Sequence, residues 1–100
     1  MSTAGIPITH PTPVAVGTSS TPILTANDNL TYGLFVNDSD TVIYLKFGGA
    51  AALNDGIRLN ANGGHYEMGN AFNNLSTEAC FAIHGGTGSK TLLVTIGNNT

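Results

Sequence analysis

Asp38 and Asp40 stand one residue apart in Asn37-Asp38-Ser39-Asp40-Thr41, and paired carboxylates can hold a hard cation or share acid–base work. A calcium loop needs further oxygen ligands and a glycine-turned spacing that this stretch lacks. Asn, Asp and Ser in a turn hydrogen-bond their own backbone, so the pair reads as turn residues. His10, His65 and His84 are the three imidazoles. No two stand at a ligand spacing on one strand, and with a single cysteine a zinc site would have to gather distant parts of the chain. Each reads as a structural histidine. Cys80, in Ala79-Cys80-Phe81-Ala82, has the apolar setting of an inert thiol. Gly85-Gly86-Thr87-Gly88 reads as a hairpin loop, because no helix follows whose N-terminus could hold phosphate. Tyr32, Tyr44 and Tyr66 could stack on a sugar ring, though packing on strands explains them. No base, nucleophile and orienting group can be named together. The expectation is a non-enzymatic chain with no metal or cofactor.

The elements that position these residues read as short strands. Residues 14–16, 22–25, 31–36, 41–47, 57–59, 65–68, 79–84 and 91–96 are β-branched, aromatic or alternating, and Gly and Asn clusters separate them. About eight strands at this spacing predict an all-β fold, an antiparallel β-sandwich or jelly-roll-like barrel. Tyr32 to Gly48 reads as a hairpin around the turn Asn37-Asp38-Ser39-Asp40. Alternation then places Tyr32, Leu34 and Val36 on one face with Ile43, Leu45 and Phe47, and Phe35, Val42, Tyr44 and Lys46 on the other. In the last strand Leu92, Val94 and Ile96 are expected inward and Leu93 outward. Residues 49–54 and 69–77 lack the length and apolar stripe of a helix and read as loops.

Pro7, Pro11 and Pro13 mark residues 1–13 as an extended arm, since proline has no amide to donate to a central strand. The expected division is an arm over 1–13 and one β-sandwich domain over 14–100. A domain of 100 residues has a thin margin of stability, and one cysteine cannot form a disulfide within the chain. Oligomerisation is the remaining common source of support. Three Lys plus Arg against six Asp plus Glu leave no basic patch for nucleic acid or an anionic membrane. The charged fraction of 9% is well below the roughly 25% of ordinary soluble domains, as suits a surface largely covered by neighbours or a protein working in variable salt outside a cell. Neither a secretory leader nor a membrane span is evident, so synthesis as a soluble cytoplasmic product is expected.

The order of segments resembles that of small virion structural proteins of tailed bacteriophages. The resemblance rests on Val14-Ala15-Val16-Gly17-Thr18-Ser19-Ser20, on Leu34-Phe35-Val36-Asn37-Asp38-Ser39-Asp40-Thr41-Val42-Ile43-Tyr44-Leu45, and on Gly56-Ile57-Arg58-Leu59-Asn60-Ala61-Asn62-Gly63-Gly64-His65-Tyr66-Glu67-Met68. It implies a decoration or cement protein that binds the outer surface of the capsid as a homotrimer and bridges major capsid protein subunits. Candidate contacts are Pro7, Ile8, Pro11 and Pro13 of the arm, with Phe35, Tyr44 and Leu93 for the face between subunits. A tail, baseplate or head-fibre module that recognises a host surface or glycan is the alternative, through loops 60–64 and 85–89 with Tyr66.

Overall fold

The computed structural model describes residues 8–98. Among them nine strands follow in chain order: β1 (Ile8–Thr9), β2 (Val14–Val16), β3 (Thr21–Leu24), β4 (Leu30–Asn37), β5 (Ile43–Phe47), β6 (Ile57–Leu59), β7 (His65–Gly69), β8 (Cys80–His84) and β9 (Lys90–Asn98). All pairings are antiparallel. One sheet has the order β1-β9-β4-β7, with β2 also on β9, and the other has the order β3-β8-β5-β6. The pairs β2 with β9, β3 with β8, β4 with β7 and β5 with β6 are nested, so the chain is one long antiparallel ribbon folded over itself. That is the jelly-roll arrangement. Residues 70–72 form a short 3-10 turn. Among the described residues no helix is long and apolar enough to cross a membrane.

This topology corrects the expected hairpin between residues 32 and 48. β4 belongs to the first sheet and β5 to the second, so the turn between them is an arch across the sandwich. Loops 60–64 and 85–89 cross between sheets in the same way; β5 and β6 are the consecutive strands that pair directly. The arch is built on Asn37, which is fully buried. Its Nδ2 donates to Thr41 O (2.8 Å) and Leu59 O (3.1 Å), and its Oδ1 accepts from Ser39 Oγ (2.6 Å). The backbone of the next arch joins this knot: Asn37 N donates to Gly64 O, Gly63 N to Asn37 O, and Asn62 N to Ser39 O. A buried amide with its partners in place stabilises two loops that no ladder holds.

Burying Asn37 also inverts the expected faces of β4. Side chains alternate along a strand, so Gly33 and Phe35 go inward with Asn37, and Tyr32, Leu34 and Val36 face out, half-buried. Phe35, expected between subunits, is instead the centre of the core and meets Phe47 edge-on with ring centroids 5.9 Å apart. Met68, Ile43, Leu45, Leu59 and Leu92 complete that core. Removing such side chains from water contributes roughly 1.5–3 kcal/mol each. In β5 and β9 the observed faces agree with the alternation: Ile43, Leu45, Leu92 and Val94 are buried and Leu93 is exposed.

β1 and β2 lie end to end along β9, and Pro11 and Pro13 interrupt them where an amide donor would be needed. The described part of the proline-rich segment therefore pairs with its own chain. Pro7 and the rest of residues 1–7 lie outside the described residues. The opposite edge of this sheet, β7, is blocked by a side chain. Asn74 accepts from Gly69 N (3.0 Å) and donates to Glu67 O (3.0 Å), as a neighbouring strand would.

Candidate functional site

The groups with the most chemical promise in the sequence are tied into the fold. Asp40 holds Lys90 Nζ (3.0 Å) and Thr41 Oγ1 (2.9 Å), and these bonds lower its pKa from the ordinary 3.8. Asp38, exposed, gives its backbone N–H to Thr91 O. His84 is fully buried; its Nδ1 accepts from Gly86 N (3.1 Å) and its Nε2 reaches Gly88 O (2.7 Å). The ring thus folds loop 85–89 back onto β8, with Nε2 carrying the proton. His10 Nδ1 meets Thr95 Oγ1 at 3.0 Å, and His65 is exposed on β7. Burial of Cys80 pushes its thiol up to about 12, so it stays protonated. Among the described residues no three His, Cys, Asp or Glu side chains converge.

Two outer surfaces remain. The first is the outer face of the β1-β9-β4-β7 sheet. Register sets Val36 between Leu93 and His65, Leu34 between Thr95 and Glu67, and Gly97 between Ile8 and Tyr32. Tyr32 covers Gly69, where an added Cβ would meet its ring carbon at 3.4 Å and Phe72 Cδ2 at 3.6 Å. The row beginning at Ile8 therefore ends at Phe72. Four large apolar side chains are exposed among the described residues, Ile8 (48%), Phe72 (54%), Leu93 (38%) and Leu53. The first three share this face. Tyr32 Oη donates to Glu67 Oε2 (2.5 Å), which raises the tyrosine pKa from 10.0 and leaves the carboxylate partnered at the rim.

The second surface lies on the opposite sheet, and Tyr44 is its centre. Loop 48–56 folds back across β8 and β5, held by Gly48 N to Ala79 O (2.8 Å) and Ala51 N to Ser20 Oγ (2.8 Å). It leaves a depression of about 320 Å³ whose walls include Val42, Tyr44, Leu53 and Gly86. A second hollow of about 220 Å³ adjoins it at Tyr44 and Asn54 and runs on to Asp55 and Arg58. Tyr44 Oη donates to Asn54 Oδ1 (2.9 Å) and Lys46 Nζ pairs with Asp55 (3.3 Å).

Of the residues nominated from sequence, the structure brings Ile8 and Leu93 onto one face and puts Tyr44 on the other side of the sandwich. Phe35 belongs to neither. Pro11 is half-buried and Pro13 exposed along the β9 edge. Tyr66, read from sequence as a strand residue with a sugar platform as the alternative, is half-buried against the core, with its ring centroid 6.4 Å from that of Phe47. Phe72 was missed; its signal was an aromatic residue inside the otherwise small and polar Asn70-Ala71-Phe72-Asn73-Asn74. No protein-family model, curated protein or solved structure matches the chain.

Proposed function

We propose that this chain is a non-enzymatic structural protein of a tailed-phage virion. It acts as a decoration or cement protein that sits on the capsid exterior as a homotrimer and stabilises contacts between major capsid protein subunits. The observation that carries the reading is the apolar outer face of the β1-β9-β4-β7 sheet, where Ile8, Phe72 and Leu93 are exposed around half-buried Tyr32, Leu34 and Val36. Polar groups, His10, Glu67 and His65, border it. An apolar patch with a polar rim is the usual signature of a protein contact.

Two further features and one general argument support it. The jelly roll is an architecture used by viral capsid modules. A chain with 9% charged residues has few charges to place in a contact, so its binding is one that salt screens little. Many copies on a particle add weak contacts into firm attachment. The trimeric state follows from the resemblance to phage decoration proteins, and solution mass tests it. The expected result is three times the chain mass of 10.2 kDa, falling to one chain for Leu93→Asp with the thermal melt of the monomer intact. A wild-type protein that is monomeric at every concentration would overturn the trimer.

A further inference from the structure

We infer that the groove at Tyr44, on the face opposite the assembly surface, is a binding site for a pyranose ring of a glycan. Its apolar wall consists of the half-buried Tyr44 ring with Val42 and Leu53. A flat aromatic face edged by aliphatic carbons suits the C–H face of a sugar ring, and a polar handle on the same residue suits its hydroxyls. At about 320 Å³ the depression lies at the small end of ligand sites, which run from about 300 to 1,000 Å³.

The polar groups supply the other half of the argument. Asn54 adopts a left-handed backbone, φ 61, that asparagine tolerates better than most residues. Tyr44 Oη holds its Oδ1 at 2.9 Å, which fixes the amide and leaves Nδ2 to donate outward. Arg58 gives Nε to Asn60 Oδ1 (3.1 Å), leaving its terminal nitrogens as donors beside the second hollow. Asp55 engages Lys46 through Oδ2, so Oδ1 remains as an acceptor. An aromatic wall flanked by fixed donors and a carboxylate acceptor is the pattern that adjacent hydroxyls on a ring require. Loop 85–89 reaches the groove through Gly86 and loop 60–64 meets its far end through Asn60, whereas Tyr66 packs against the core and takes no part.

The test is an amide NMR titration of the full chain with methyl α-D-glucopyranoside, N-acetylglucosamine and glucuronate, each to about 50 mM, where a millimolar site would be saturated. Saturable shifts at Tyr44, Asn54 and Gly86 with at least one probe are expected. Tyr44→Ala should weaken binding at least tenfold, and Tyr44→Phe, which keeps the ring but frees Asn54, should weaken it less. Asn54→Gly preserves the positive φ and removes only the amide; it gives a second reading should Tyr44→Ala fail to fold, and a severalfold loss is expected. No saturable shift with any probe, shifts centred elsewhere, or unchanged binding by both Tyr44→Ala and Asn54→Gly would overturn the inference.

Discussion

Replacing Asn37 with alanine removes three side-chain hydrogen bonds at a fully buried position and leaves the arch between the sheets without its pin. The loss is uneven. Thr41 O keeps a donor, because Ser39 Oγ also reaches it at 3.0 Å, whereas Leu59 O loses the Asn37 amide. Leu59 also pairs with Ile43 across the sheet, so its oxygen is not stranded, and each of the three lost bonds costs about 0.5–1.5 kcal/mol. The sum is about 2–4 kcal/mol out of a total stability of about 5–15. For a domain of this size that is a fall in Tm of at least about 8 °C. Asn37→Asp keeps the shape but cannot donate, so its carboxylate faces Thr41 O and Leu59 O and should cost more than alanine at neutral pH. Ser39→Ala should cost least. Urea unfolding followed by circular dichroism reads all three variants. A loss below about 0.5 kcal/mol for Asn37→Ala, or an aspartate no worse than alanine, would refute the pinned arch.

Gly64→Ala should abolish folded expression or lower stability by several kcal/mol, because its Cβ would run into the Asn60 backbone; Gly49→Ala, which meets nothing within 4 Å, should be neutral in the same melts. Cys80 should resist a thiol reagent in the native protein and react at the rate of global unfolding, since its thiol is buried and pushed up to about 12; fast labelling would show an open core. The lowered pKa of Asp40 means that its bond to Lys90 stabilises the fold above about pH 3.8 and is lost as pH falls through the folded value. Asp40→Asn should therefore shift the acid-unfolding curve slightly, and less in high salt, because Asp40 is exposed; no salt dependence would remove the pair from the account.

Strand positions were legible because β-branched and aromatic runs between Gly and Asn clusters have one common reading. All eight expected strands are present, β1 adds a ninth, and the alternation of Ile43 and Leu45 against Tyr44 and Lys46 holds. Pairing was not legible. A polar turn between two apolar strands serves a hairpin or an arch equally well, and what decides is where Asn37 goes. Its burial sends Phe35 inward, which a strand apolar on both faces could not reveal. A β-bulge between Leu30 and Tyr32 lets Leu30 turn inward too. The apolar outer face was anticipated in kind but built from other residues, Tyr32, Leu34 and Val36 in place of Phe35. Its far end, Phe72, sits in a loop where no periodicity could single it out. The Tyr44 groove depends on loop 48–56 folding back over the sheet, and a glycine- and alanine-rich stretch carries no pattern for that.

The central claim is that the face bearing Ile8, Phe72 and Leu93 joins copies of this protein into the trimer that grips a capsid, and binding to purified phage heads that lack the chain tests it most directly. Saturable occupancy by the wild type is expected, falling at least tenfold for the folded double variant Phe72→Asp and Leu93→Asp and unchanged for Tyr44→Ala. No binding by the wild type, or equal occupancy by the double variant, would contradict it.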